Sequence, residues 1–366
     1  MTSHRRSVAR VRAGGAALLA LTLVLGGCTA EPRVPAALAA FSGDTRFDLS
    51  GTSIRIGTAQ EQALGTSTSY AIEILKSWGA DVELVTLTNL SGLEAIVADQ
   101  IDVAARSSDE LMIGTARGMN VRAIGEPVST MHYALVARNG IKDVSQLRGA
   151  RVAISGPGGF DTFLLQHLLK KAGVDPDRDV QMMPIGGSTE RTATLIAGQA
   201  DASIVFVDNW IALRERGADL GLVGYAAELV PGLSSRTYYA ESGYLDANPE
   251  VAQALACANL EANQMINTDR NAFVQFTLDN VQGTSEHDVA EFYDLAQELG
   301  MYPTDPGRVL NPDGYARLAD LMYTSGAIDK PVRAENFVDH RYLDRAAEMG
   351  CGRPDQGKAG GRPSPP

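Results

Sequence analysis

Two halves of this chain repeat one another at an offset of about 99 residues, and that repeat restricts the fold more than any single motif. Gln100-Ile101-Asp102-Val103-Ala104 aligns with Gln199-Ala200-Asp201-Ala202-Ser203, and the run from Arg117-Gly118 to Gly125 aligns with that from Arg216-Gly217 to Gly224. Asp81-Val82-Glu83 meets Asp179-Val180-Gln181 at 98, and Ser53-Ile54-Arg55-Ile56-Gly57 is set against Arg151-Val152-Ala153-Ile154-Ser155 at the same offset. Each copy reads strand, helix, strand, helix, strand, helix, strand. In the first copy the strands are expected near 53–57, 82–86, 101–105 and 121–125, and the helices near 66–78, 91–99 and 109–117. This alternation predicts parallel βαβ units with right-handed crossovers. A folded body of roughly 300 residues also exceeds what one hydrophobic core usually holds, so an α/β chain of two lobes is expected.

The second copy opens on the clearest local pattern. Val152 and Ile154 mark a buried strand, Gly156-Pro157-Gly158-Gly159 a turn, and Phe160, Leu164, Leu165, Leu168, Leu169 and Ala172 a helix closed by Lys170, Lys171 and Gly173. The glycines allow close backbone approach, and the first-turn N–H groups of the helix suit an anion or a carbonyl. Plain βα punctuation explains the same glycines. It is no dinucleotide fingerprint, because Asp161 stands where a third glycine belongs and no acid closes the next strand at Met183-Pro184.

The two ends read differently from the body. Arg5, Arg6, Arg10 and Arg12 precede an apolar run from Ala13 to Leu25, which is shorter than the roughly 20 residues of a membrane-spanning helix. The run ends in Leu25-Gly26-Gly27-Cys28, which resembles the bacterial lipobox. Residues 1–28 are therefore expected to be a lipoprotein signal peptide with Cys28 as lipidation site, anchoring the protein on the extracytoplasmic face of the cell membrane. Residues 29–49 read as a flexible tether and 352–366 as a disordered tail.

The formal charge is −12, or about −16 once the four leader arginines are removed, which argues against nucleic-acid partners. Besides Cys28 only Cys257 and Cys351 are present, which in an oxidising compartment suggests a disulfide, with two buried thiols as the alternative. No metal-ligand spacing occurs, so no metal and no cofactor are expected.

After Gly125 the chain runs through Glu126-Pro127 to the apolar strand His132–Arg138, and after Gly224 through Pro231 to Tyr239. These are the expected crossings between lobes. The division is therefore 50–136 for lobe one, 137–235 for lobe two and 236–351 for a mainly helical return to lobe one. Helices are expected at Val251–Ile266, Glu286–Leu299 and Pro312–Ser325.

Val144–Gly156, Leu168–Pro176, Pro184–Ser188 and Leu195–Ala202, with Asn311–Arg317 and Phe337–Leu343, are similar to the solute-binding proteins of nitrate/sulfonate/taurine and thiamine-pyrimidine ABC importers. The resemblance covers most of residues 50–345. It implies the two-lobed type II periplasmic-binding-protein fold, each lobe a mostly parallel sheet flanked by helices. It also implies a monomeric, non-enzymatic protein that captures a small polar solute by hinge closure and delivers it to a permease and, through that, to a cytoplasmic ATPase. A sulfonate- or taurine-like anion or zwitterion is favoured, and a pyrimidine-like heteroaromatic comes next. The alternatives are a tethered sensor or TRAP-type receptor and, further off, a pyrimidine-precursor synthase, whose cysteine-rich motif has no counterpart here.

If strand ends face the cleft, the repeat pairs the loop holding Gln60 and Glu61 with that of Gly158, Gly159, Asp161 and Thr162. It pairs Asn89 with Gly187 and Ser188, and Arg106, Ser107 and Ser108 with Asp208, Asn209 and Trp210. Asp109 and Asp208 are repeat equivalents. Arg106 is the natural bidentate partner of an anionic group, unless Asp109 occupies it. Glu61 and Asp208 suit an amine, and Tyr133 and Trp210 suit a ring. Ser188 reads first as the cap of a helix over 189–198, and His132 as structural.

Overall fold

The computed structural model describes residues 44–59, 63–87, 90–215 and 219–353. The leader with Cys28, most of the tether, and the tail beyond 353 lie outside them, as do Gln60, Glu61 and Asn89. The first copy of the repeat comprises β1 (Ser53–Thr58), α1 (Thr66–Ser77), β2 (Asp81–Thr86), α2 (Gly92–Val97), β3 (Val103–Ser107), α3 (Ser108–Ala116) and β4 (Val121–Val128). A crossing leads to β5 (Tyr133–Arg138). The second copy follows as β6 (Arg151–Ile154), α4 (Phe160–Lys171), β7 (Gln181–Pro184), α5 (Ser188–Ile196), β8 (Ala202–Phe206), α6 (Val207–Glu215) and β9 (Leu220–Tyr225). Next come α7 (Ala226–Leu229), β10 (Arg236–Glu241) and the helical remainder: α8 (Ser242–Ala247), α9 (Pro249–Thr268), α10 (Arg270–Asn280), α11 (Glu286–Glu298), α12 (Pro312–Thr324) and α13 (Arg341–Glu348).

The strands form two five-stranded sheets, ordered β2-β1-β3-β10-β4 and β7-β6-β8-β5-β9. In each, the first three strands are parallel, and the strand arriving from the other lobe inserts antiparallel between the third and fourth. The two lobes thus exchange one strand each. The second sheet takes over at Tyr133, which already pairs with Phe206.

The repeated Gln-x-Asp motif has a structural cause. Asp102 accepts from the backbone N–H of Arg55 at 2.7 Å and from its guanidinium at 3.2 and 2.7 Å. Asp201 does the same for Arg151, at 2.9 Å to the N–H and 3.0 and 2.9 Å to the guanidinium. One carboxylate thereby ties the loop before the third strand to the first strand in both lobes. The register that follows makes Arg55 the equivalent of Arg151, an offset of 96, since these two pair with Glu83 and Gln181 respectively. The expected offset of 98 for the first strand is corrected by two residues; the second strand keeps 98 and the third 99.

Helix ends obey the local rules. Gly173 closes α4 at φ 74° and Gly118 follows α3 at φ 82°, backbone that other residues enter only at a cost. In α9, residues on every face are buried, because it lies between α1, α13 and β4. Cys257 on this helix is bonded to Cys351, with Cα atoms 5.3 Å apart. The helical return does more than cover the first sheet: α11 packs on α6 of the second lobe, where Arg214 pairs with Glu291. No helix of the described residues is long and apolar enough to cross a membrane.

Candidate functional site

The residues that open and close the central strands meet at the base of the cleft. Ser107 ends β3 and Phe206 ends β8, while Arg236 opens β10 and Tyr133 opens β5. Register places Arg236 opposite Ser107 and Tyr133 opposite Phe206. A cavity of about 210 Å³ lies among these four, closed further by Ala59, Leu64, Arg106 and His132.

Arg236, 8% exposed, donates through Nη2 to Thr58 Oγ1 at 2.8 Å and to the Ala105 carbonyl at 2.9 Å. Arg106 is held by Glu110, whose Oε1 accepts from Nε at 3.0 Å and Nη2 at 2.8 Å. Glu110 Oε2 in turn accepts from Tyr239 Oη and the Gly92 N–H, each at 2.7 Å. The partner of Arg106 is therefore Glu110, one residue beyond the expected Asp109. The guanidinium remains part of the cavity wall, while Asp109 Oδ1 is buried without a hydrogen bond. Burial, reinforced by the charge of Glu110, pushes the Asp109 carboxyl up to about 6. Its equivalent Asp208 is also pushed up to about 6 by burial, against hydrogen bonds from the Asn209 and Asp208 N–H groups and the attraction of Arg236.

His132, expected to be structural, holds the two crossings together and also forms part of the cavity wall. Its Nδ1 lies 2.6 Å from Ser235 Oγ, which ties one crossing to the other. Two backbone bonds repeat the theme: Ser108 N–H donates to the Ser235 carbonyl at 2.9 Å and Val207 N–H to the His132 carbonyl at 3.0 Å. The first residue of α3 and the first of α6, 99 apart, are thus fastened to opposite crossings. Burial, and secondarily the charge of Arg236, lowers the imidazole pKa to about 3, so His132 is neutral at physiological pH. Its ring stacks on Tyr133 at a centroid distance of 4.5 Å and lies 5.2 Å from Phe206.

Of the residues expected at the site, Arg106, Ser107 and Tyr133 line this cavity. Ser108 turns into the protein, where its hydroxyl lies 2.6 Å from Thr237 Oγ1, itself 2.7 Å from Tyr315 Oη. Asp161 accepts from Ser155 N–H at 3.0 Å and Ser155 Oγ at 2.5 Å and stands 3.8 Å from the buried Arg191, so it holds its own loop together. Thr162 donates to the Gly156 carbonyl at 2.7 Å. At Gly158 a side chain would meet open space, while Gly159 is required because Ser155 Oγ occupies the place of a Cβ.

The helix expected over 189–198 begins one residue earlier, with Gly187 at its N-cap, so Ser188 does not cap it. The Ser188 hydroxyl instead accepts from Phe206 N–H at 2.9 Å and donates to Asn209 Oδ1 at 2.5 Å, joining α5 to β8 and α6. Trp210 is buried near Tyr225 and does not line the cavity. The sequence reading left Arg236 out of the site, and it set the loop beginning at Phe206 against Arg106 without choosing Phe206 as a contact. Their signal was present: Phe206 is the equivalent of Ser107, and Arg236 opens its crossing strand as Tyr133 opens the other.

Comparisons with known proteins agree with this architecture. The nitrate import ATP-binding protein NrtC of Synechococcus elongatus is 22% identical over 223 residues, 59% of this chain and 34% of that protein. A porphobilinogen deaminase of Corynebacterium efficiens is 26% identical over 171 residues, 42% of this chain and 53% of that one. The chain thus spans about a third to a half of the length of these curated relatives. The nitrate-binding protein NrtA of Synechocystis PCC 6803 superposes with a TM-score of 0.69 at 15% identity, covering 81% of this chain and 89% of that one. The aliphatic sulphonate binding protein SsuA of Escherichia coli superposes with a TM-score of 0.64 at 20% identity, covering 78% and 92%. The fold is that of the periplasmic binding proteins. Residues 75–270, more than half of the chain, match the family model described as NMT1/THI5 like, and the chain belongs to that family.

Proposed function

We propose that this protein is the solute-binding component of an ABC importer and takes a small organic anion, sulfonate-like or zwitterionic, into the cavity between the crossings. The observation that carries the reading is Arg236, a nearly buried cation at the junction of both sheets, beside a second guanidinium at Arg106. A buried guanidinium with fixed donors suits a carboxylate, sulfonate or phosphate. Glu110 already pairs with Arg106, and burial raises the neighbouring Asp109 and Asp208 carboxyls, which leaves Arg236 as the cation of the wall best suited to a solute anion.

In this reading the residues around 50–132 and 236–351 form one lobe and those around 133–235 the other. A solute touching both shifts the open–closed equilibrium by its extra contacts in the closed form. The protein acts as a monomer held outside the membrane by a lipid on Cys28, binds without transforming its solute, and passes it to a permease driven by an ATPase. Family membership and the likeness to NrtA and SsuA support the importer role.

The test is thermal unfolding of the full chain in mild detergent against sulfonates, carboxylates, taurine, nitrate and neutral pyrimidines. A ligand at about 100 times its Kd adds about 2.7 kcal/mol, a shift of several degrees. The expected result is a shift from anions that is lost in Arg236→Gln. Equal shifts from neutral solutes, unchanged in that variant, would refute the reading.

A further inference from the structure

The cavity sits where the repeat folds back on itself, and its walls are repeat equivalents that have diverged. Ser107 and Phe206 end the third strand of each lobe, 99 residues apart. Arg236 and Tyr133 each open the strand that crosses into the other lobe and pair with Ser107 and Phe206 respectively. His132 and Ser235 precede those openings and touch one another at 2.6 Å. A frame of matching positions would give a wall of matching chemistry if the two copies carried similar residues. They do not. The first sheet contributes a guanidinium and a hydroxyl at these positions, and the second contributes two rings.

The rings form one surface. Tyr133 and Phe206 lie 5.2 Å apart between centroids at 38°, and His132 stacks on Tyr133 at 27°. Phe160 backs Tyr133 at 5.8 Å. Phe206 is only part-buried, so this surface is not closed by the protein itself. The same cavity is lined by Arg236 and Ser107, with Arg106 adjoining. Its space, about 210 Å³, is below the roughly 300–1,000 Å³ of sites for drug-sized ligands.

Resting on the anion-binding reading above, we infer that the solute is a single-ring aromatic anion. Its charged group lies toward Arg236 and its ring lies against Tyr133 and Phe206. A ring laid on this pair adopts the tilted or offset contacts that aromatic pairs favour, at centroid distances of about 4.5–7 Å. An alkyl chain of the same head group covers less of the surface and gains no such contact. The neutral His132 leaves the aromatic side uncharged, so only one end of the cavity selects for the anionic group.

Matched ligands test this on the unmodified full chain by calorimetry: benzenesulfonate against methanesulfonate, benzoate against acetate, and benzamide as the neutral ring. The expected result is that each ring anion binds roughly tenfold or more tightly than its aliphatic counterpart. Phe206→Leu, at a part-exposed position, is expected to remove most of that ratio. Equal affinities within each matched pair, or no binding by either ring anion, would overturn the inference; in the former case the anion-binding reading stands. Benzamide binding as tightly as benzoate, with Arg236→Gln without effect, would instead overturn the underlying reading. A full-strength aromatic preference surviving both Phe206→Leu and Tyr133→Leu would place the ring elsewhere and refute the assigned wall.

Discussion

Glu126, 1% exposed at the end of β4, offers a quantitative test of how the first lobe is held together. Its Oε2 accepts from the Leu310 N–H at 3.1 Å, and hydroxyls of Tyr315, Ser129 and Ser234 stand around the carboxyl. Burial outweighs these donors and pushes the carboxyl up to about 7. A carboxyl raised above its unfolded value of roughly 4.3 favours folding at low pH, and that advantage is lost as pH rises through the folded value. By linkage the raised carboxyl costs the fold roughly 1 kcal/mol at pH 5 and several kcal/mol at pH 8. Glu126→Gln keeps an oxygen for Leu310 and presents an amide that the surrounding hydroxyls can accept. The variant should therefore gain roughly 2–3 kcal/mol relative to the parent between pH 5 and pH 8. Comparing variant with parent at each pH cancels the titration of Asp109 and Asp208, which are raised in the same direction. Urea unfolding at the two pH values measures the difference directly. A gap independent of pH, or one that turns against glutamine at pH 8, would refute the reasoning.

Two further outcomes follow from the packing. The disulfide between Cys257 and Cys351 closes 94 residues of separation. Replacing both with alanine should cost about 4–5 kcal/mol in denaturant unfolding by the chain-entropy account, while a loss below about 1 kcal/mol would refute that account. Gly159→Ala should cost about 1–3 kcal/mol, because its Cβ would fall 1.7 Å from Ser155 Oγ. Adding Ser155→Ala should recover part of that loss, and Gly158→Ala, which meets nothing within 4 Å, should be nearly neutral.

The frame was legible because repetition and periodicity report it twice. Asp102 and Asp201 stand out in the sequence since each must bind a first-strand arginine and its backbone N–H, and a carboxylate one residue away could not reach both. The helix over 160–171 was legible from its apolar spacing, and the return helices from theirs. Buried hydrogen-bond partners were not. Glu110 and Asp109 differ by one position, and which of them meets Arg106 depends on the turn that starts α3 at Ser108. The same one-residue ambiguity hid the start of α5 and with it the task of Ser188.

The site was hidden for a different reason, which bears on how such folds acquire ligands. Ser107 and Phe206 keep the offset of 99, but Tyr133 and Arg236 stand 103 apart, because the second crossing carries the extra turn of α7. A comparison at a fixed offset therefore loses the equivalence at the residues that matter most. The conserved half of the repeat sets strand order, ion pairs and the antiparallel exchange between sheets, and none of these distinguishes one solute from another. In the proposed function, recognition is left to positions where the two copies can differ without disturbing that frame. Those are the strand openings and ends Arg236, Tyr133, Ser107 and Phe206, whose backbones are fixed by pairing and which line the cavity. A swap there is a direct experiment on this division. In Arg236→Tyr combined with Tyr133→Arg, the sheets keep their registers and the charged and aromatic walls exchange lobes. If recognition resides in the diverged side chains alone, near-UV circular dichroism should show a folded protein and calorimetry should show aromatic anions still bound, at reduced affinity. A folded protein that binds none of them would show that the bonds of Arg236 to Thr58 and Ala105 belong to recognition as well.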